Sequence, residues 1–235
     1  NQLASFINNK FVPKPDAVRE GNIIYTKGFQ TWDMGDWEGK PEAPLEERID
    51  TLSKTQNDVK AGESKNGESF NEFTNRVINA FRYVLHNSPA NTLVVTHSSV
   101  IKVLKAWEKE GQKTDNSIDK QFYHDQETTL GKLYDFKGKN GTIWVVRHGE
   151  SVDNIAGNLR SKDTTLTEKG EEQMQKIVDE LNEKGIIPPY IMTSDLHRTI
   201  QTATEIENQM ALKREEAKPK TEPLKPEEGT EGTCI

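Results

Sequence analysis

The sequence predicts an α/β layer fold. Two observations carry the prediction: apolar strand-like runs alternate with amphipathic helical stretches, and each run stops abruptly at polar residues. A third gives the fold a direction. His97, Arg147 and His148 directly follow such runs, as expected where the carboxyl ends of parallel strands line a crevice.

In chain order, the first predicted element is a helix over Ser69 to Leu85, where Phe70, Phe73, Val77, Phe81 and Val84 recur at helical spacing behind Gly67-Glu68. Thr92-Leu-Val-Val-Thr96 is a buried strand ending at His97. Lys137-Gly-Lys-Asn-Gly141 reads as a short flexible connector. Ile143-Trp-Val-Val146 is the next buried strand and ends at Arg147-His-Gly-Glu-Ser151. Leu166 to Leu181 is helical, with Thr167 as N-cap and Met174, Ile177, Val178 and Leu181 on one face. A weaker strand, Tyr190-Ile-Met192, precedes Thr193-Ser-Asp195. Residues 212–232, rich in Pro, Glu and Lys, read as a solvated loop. Ile235, Leu3, Ala4, Ile7 and Phe11 fall on one helical face if the last residue is read into the first, with Thr233 as its N-cap.

Composition narrows the functional classes. The 235 residues suit one large α/β domain, and 32% hydrophobic against 29% charged residues calls for a small core with polar loops. No run approaches the roughly 20 apolar residues of a membrane span, and no basic-then-apolar export segment is seen, so no membrane partner is expected. Cys234 is the only cysteine, which leaves no disulfide framework, no cysteine zinc site and no central thiol nucleophile; a cytoplasmic setting is expected. The net charge of −7 argues against a general nucleic-acid binder, so any anion site must be a local positive cluster.

Six segments supply such a cluster and a resemblance. Arg147-His-Gly-Glu-Ser-Val-Asp-Asn154, Leu166-Thr-Glu-Lys-Gly-Glu-Glu-Gln173, Ser194-Asp-Leu-His-Arg-Thr-Ile-Gln-Thr-Ala203, Gly35-Asp-Trp-Glu-Gly-Lys40, Gly67-Glu-Ser69 and Val94-Val-Thr-His-Ser98 together resemble the motifs of the histidine phosphatase superfamily, the phosphoglycerate-mutase-like group. The family's motif order is recovered when 142–235 is read before 1–141. Each motif occurs once, so the expected arrangement is a circular permutation of a single domain over residues 1–235. The connector 137–141 then joins the family's last strand, Thr129 to Phe136, to its first. The resemblance implies a three-layer α/β/α sandwich around a mainly parallel sheet. It also implies a phosphomonoester hydrolase that uses neither metal nor other cofactor. A phosphoglycerate mutase and a non-catalytic phosphate-binding module are the rival readings. The expected partner is a small phosphorylated substrate or a phosphoprotein, selected by loops 8–30 and 204–232.

The chemistry stands without the name. A phosphate ester dianion repels nucleophiles, so an enzyme must place cations on its nonbridging oxygens. Arg147 and Arg198 offer forked, charge-assisted donors for this purpose. His148 would attack phosphorus through a neutral ring nitrogen and form a phosphohistidine that water later cleaves. His97 would bind phosphoryl oxygens as a charged or neutral donor, and the resemblance assigns these same roles. Asn154 matches a further phosphate-contacting position, and backbone N–H groups near Ser98 can assist.

The proton donor is harder to place. In many relatives it is a glutamate, in the register occupied here by Thr31, and threonine cannot serve. Asp33 lies two residues on, and so on the same side of an extended segment, which makes it the first candidate; Glu68 is second and Glu38 third. His86 and His124 match no motif, His197 is at most a rim residue, and Trp32 and Trp37 read as packing residues.

Overall fold

The computed structural model describes residues 17–49, 67–159, 161 and 163–216. Their sheet has six strands in the order β1-β2-β6-β3-β5-β4. The strands are β1 (Val18–Glu20), β2 (Ile23–Tyr25), β3 (Leu93–Thr96), β4 (Leu133–Gly138), β5 (Gly141–Arg147) and β6 (Ile191–Thr193). The four inner strands β2, β6, β3 and β5 run parallel, and β1 and β4 pair antiparallel at the two edges. This is the mainly parallel α/β arrangement that the strand–helix alternation predicts.

Inner strands are apolar on both faces because both faces are covered. On one side Ile24, Val94, Val145, Ile143 and Met192 pack with residues of α1 (Phe70–Asn87) and α2 (Ser98–Lys109). On the other, Ile23, Leu93, Val95, Val146 and Ile191 meet α5 (Glu168–Glu183) and α6 (His197–Glu216). Alternate residues of each strand therefore belong to different cores. Two further, short α-helices are α3 (Lys120–His124) and α4 (Val152–Ala156).

Local signals account for the helix starts. Ser69 caps α1 through a capping box in which its hydroxyl accepts from Glu72 N and the Glu72 carboxylate accepts from Ser69 N. Thr167 caps α5 by accepting from Gly170 N.

Three expectations change. Residues 137–141 are not a flexible connector: Lys137 and Gly138 finish β4, Gly141 opens β5, and Lys139-Asn140 form a two-residue hairpin turn between the paired glycines. The segment 204–216, read as loop, continues α6. The segment 18–25 is a pair of short strands closing one sheet edge. Residues 217–232, 8–16 and the helical face spanning both chain ends lie outside the described residues.

Candidate active site

Three neighbouring strands deliver the chemistry. β5 ends at Arg147 and leads into His148, β3 ends at Thr96 and leads into His97, and β6 ends at Thr193 and leads into Ser194, with Arg198 in the first turn of α6. Because β6, β3 and β5 are adjacent and parallel, their carboxyl ends meet at one edge of the sheet. The ladder continues past the strands, with His148 N donating to Thr96 O at 2.9 Å. The two histidine rings meet edge to face, with centroids 5.2 Å apart and planes inclined at 64°.

Arg198 is the hub. Its Nε donates to His148 Nε2 at 3.1 Å, one terminal nitrogen donates to Ser161 O at 3.1 Å, and the other donates to His97 Nδ1 at 3.3 Å. It is 4% exposed, so the cation is held in a low-dielectric setting where it acts strongly on a bound anion. A guanidinium only donates, which makes both imidazole nitrogens acceptors.

His148 has a defined tautomer. Its Nδ1 lies 2.6 Å from Gly149 O, a carbonyl that can only accept, so Nδ1 carries the proton and Nε2 the lone pair. Burial, then the positive charges of Arg198 and Arg147, push its pKa well below 6.5. The ring is therefore neutral at neutral pH, with a lone pair on Nε2.

The carbonyl that sets this tautomer is itself fixed. Gly149 lies so close to α5 that a Cβ on it would collide with the carbonyl group of Gly170, and a Cβ on Gly170 would collide with Glu150 O. Glu150 N donates to Gln173 Oε1 at 2.8 Å, and Thr167 N donates to Glu150 O at 3.0 Å.

Arg147 is half-buried, and its buried Nε has no hydrogen-bond partner among the described residues. Burial lowers its pKa from the usual arginine value. An unmatched buried guanidinium donor calls for an acceptor, and a phosphoryl oxygen is one. Lys102 is also half-buried, and burial, followed by Arg147 and Lys105, lowers its pKa. Sequence reading missed Lys102, although its i+4 spacing from Ser98 puts it on the same face of α2.

Ser98 is the first residue of α2 and shares a hydrogen bond of 2.6 Å with the Thr128 hydroxyl, leaving the helix N-terminal amides directed along its axis. Asn154 is in the capping box of α4, where its Oδ1 accepts from Ser151 N at 3.0 Å and Ser151 Oγ at 3.1 Å.

The three acid candidates differ in their surroundings. Trp32 is buried between Thr31 and Asp33, stacked on Phe73 with its indole N–H donating to Glu68 O, so Thr31 and Asp33 flank it as alternate residues. Thr31 meets the Ser99 hydroxyl at 2.7 Å, in the first turn of α2. Asp33 Oδ1 accepts from Gly35 N at 2.9 Å. Glu68 is engaged at both oxygens by Arg76 at 2.8 and 2.7 Å, and Arg76 also donates to carbonyls of Lys27, Gly28, Gln30 and Thr31. That pairing occupies both Glu68 oxygens and makes the residue a tether for the 27–33 segment. Glu38 is half-buried beside Trp37, which Arg48 overlies at 5.0 Å.

The remaining aromatic and histidine readings agree with packing roles. Trp37 is 3% exposed, His86 is an exposed residue whose ring bonds Arg82 O, His124 packs its ring on Tyr123, and His197 is exposed at the start of α6. Among the described residues no helix is long and apolar enough to cross a membrane.

Comparison with known proteins gives the same direction. The sequence profile of the histidine phosphatase superfamily (branch 1) matches residues 16–119 and 143–219. The chain is 39% identical over 72 residues to a probable phosphoglycerate mutase GpmB of Yersinia enterocolitica, covering 30% of this chain and 33% of that protein. It is 38% identical over 65 residues to a 2,3-bisphosphoglycerate-dependent phosphoglycerate mutase of Corynebacterium kroppenstedtii, covering 27% of this chain and 26% of the relative. It is 27% identical over 121 residues to human 6-phosphofructo-2-kinase/fructose-2,6-bisphosphatase 1, covering 52% of this chain and 24% of the human protein. The matched part thus spans a third or less of each relative's length. No solved structure matches.

Proposed function

The chain belongs to the histidine phosphatase superfamily, and we propose that it is a phosphomonoester hydrolase acting through a phosphohistidine on His148. The observation that carries this reading is the buried His148 ring, with Nδ1–H on Gly149 O and its Nε2 lone pair beside the Arg198 guanidinium. In the first step Nε2 attacks phosphorus and the ester oxygen leaves with a proton from the general acid. In the second step the deprotonated acid takes a proton from water, the water oxygen bonds to phosphorus and the P–N bond breaks, which restores both His148 and the acid and releases phosphate. Arg147 and Arg198 hold the nonbridging oxygens, and His97, Asn154 and the amides near Ser98 add donors. Asp33 is the acid in this scheme, because Glu68 is committed to Arg76.

The substrate is a small phosphorylated molecule or a phosphoprotein, and the reaction needs no metal or other cofactor. The single cysteine supports a cytoplasmic setting. We read the described residues as parts of one permuted domain, since the β4–β5 hairpin joins the segments that the resemblance places last and first.

Hydrolysis of an aryl phosphate in the presence of a chelator tests the mechanism. The expected result is chelator-insensitive turnover and an acid-labile phosphoryl adduct, both absent from His148→Ala. Chelator-sensitive turnover would contradict the scheme, and no turnover would favour a phosphate-binding module. The relatives named phosphoglycerate mutase motivate a second reading, in which the phosphoenzyme returns its phosphoryl group to a phosphoglycerate. Phosphoryl transfer exceeding hydrolysis on those substrates would favour it.

A further inference from the structure

A line of hydroxyl groups runs away from the site behind His97, and the hydrolytic scheme does not use it. His97 Nε2 lies 2.8 Å from Ser194 Oγ, and Ser194 Oγ lies 2.7 Å from Thr199 Oγ1. Thr199 Oγ1 faces two carbonyl oxygens that can only accept, Leu196 O at 2.7 Å and Ser194 O at 3.1 Å, and these take the only proton of that hydroxyl. Thr199 can then only accept from Ser194, so the Ser194 proton points to Thr199. Ser194 Oγ is left as an acceptor toward His97, as it is toward Leu196 N at 3.4 Å. Both side chains are fully buried, so water cannot substitute for any link in the line.

The direction of that line fixes the ring. His97 must donate from Nε2, and its Nδ1, which accepts from Arg198, carries the lone pair. We propose that Ser194, oriented by Thr199, is a positioning residue that locks His97 in the Nε2–H tautomer, so that His97 binds a phosphoryl oxygen only after Nδ1 takes up a proton. Anion binding and protonation of His97 are then one event. Among the described residues, the ring meets the Arg198 guanidinium from α6 and, across the pocket, the neutral His148 ring, which has Arg147 near it.

The inference rests on the phosphate-pocket reading, yet it concerns binding and needs no turnover. The proton comes from solvent or from a singly protonated substrate and moves to His97 Nδ1, with no bond to phosphorus formed or broken. A neutral donor at His97 would instead require the Nδ1–H tautomer, which leaves Nε2 and Ser194 Oγ as facing lone pairs.

Nitrogen-15 imidazole spectra read the tautomer directly, with sulfate as a probe that carries no proton of its own near neutral pH. Without sulfate, His97 is expected as the neutral Nε2–H form. Saturating sulfate is expected to protonate both of its nitrogens at a pH where the free ring is neutral. In Ser194→Ala the acceptor behind Nε2 is gone, so sulfate is expected to give the neutral Nδ1–H form, and the alkaline limb of kcat/KM to move up by about one pH unit or more. Thr199→Val frees the Ser194 proton to turn toward Nε2 and is expected to act in the same direction, which gives a second test should Ser194→Ala fold poorly. An Nδ1–H form in the free wild-type protein, or a neutral His97 in its sulfate complex, would overturn the proposal. So would an unchanged tautomer response in the folded variants. Loss of hydrolysis with these spectra intact would count against the proposed function and leave this inference standing.

Discussion

Arg198 donates through Nε to Nε2 of His148 at 3.1 Å, so the cation that would hold the phosphoryl group also marks the nitrogen that would attack it. This contact is possible only while the imidazole is neutral. It holds the Nε2 lone pair of His148 against a buried cation.

A pH dependence follows. The pKa of His148 lies well below 6.5, chiefly through burial and then through Arg198 and Arg147. The nucleophile therefore stays neutral as the pH falls through 6.5, and the kcat profile is expected to show no acid limb centred there. For stability, the unfolded chain takes up this proton near pH 6.5 and the folded one does not. The contribution is full above that pH and is lost as pH falls toward the folded value. His148→Asn is expected to flatten that part of a stability-versus-pH curve. A kcat limb at the pKa of a solvated histidine would show that the ring is not held as described.

Arg198→Lys tests the fork. Lysine keeps the charge but cannot span His148, His97 and the Ser161 carbonyl from one planar group. The expected loss in kcat/KM on an aryl phosphate is roughly 10²–10³-fold, the range for removing an oriented transition-state donor. Near-normal activity would reduce Arg198 to a generic counter-charge.

Asp33 and Glu68 separate by leaving group. Asp33→Asn is expected to slow an alkyl phosphate by roughly 10²-fold and an activated aryl phosphate far less. Glu68→Gln breaks the Arg76 fork that ties down the 27–33 segment, so it is expected to lower stability by roughly 1–2 kcal/mol and to affect both substrates alike. Equal losses for Asp33→Asn on the two substrates would remove it from the acid role.

Gly170→Ala puts a methyl group against the Glu150 carbonyl. Thermal melts should show a destabilisation of about 1–3 kcal/mol. Displacement of the Gly149-Glu150 segment also disturbs the acceptor of the His148 proton, so kcat is expected to fall even well below the melting temperature. Full activity in a folded Gly170→Ala protein would show that the backbone contact is structural alone.

Legibility in the sequence followed burial. β3, β5 and the helices α1 and α5 were readable because their apolar residues match one period over enough length. The edge pair β1 and β2 was not: each has three residues, and Arg19 and Glu20 are exposed. The later part of α6 looked like loop because only Ala203, Ile206 and Met210 mark its apolar face among charged neighbours. Both histidines and both arginines were visible at strand ends or in motifs. The Ser194 partnership with His97 was not, since it joins residues 97 positions apart through an ordinary hydroxyl.

Thr96 pairs with Arg147 in the β3–β5 ladder, which makes His97 and His148 the next rung. Their ring separation of 5.2 Å is close to the roughly 4.8 Å at which any two sheet strands lie, so the width of the proposed reaction chamber follows a main-chain dimension. Side chains and loops can be exchanged around this gauge without recalibrating it. Under the proposed function, new substrates would be accommodated by redecorating the rim, while a one-residue slip of either strand would separate His97 from His148.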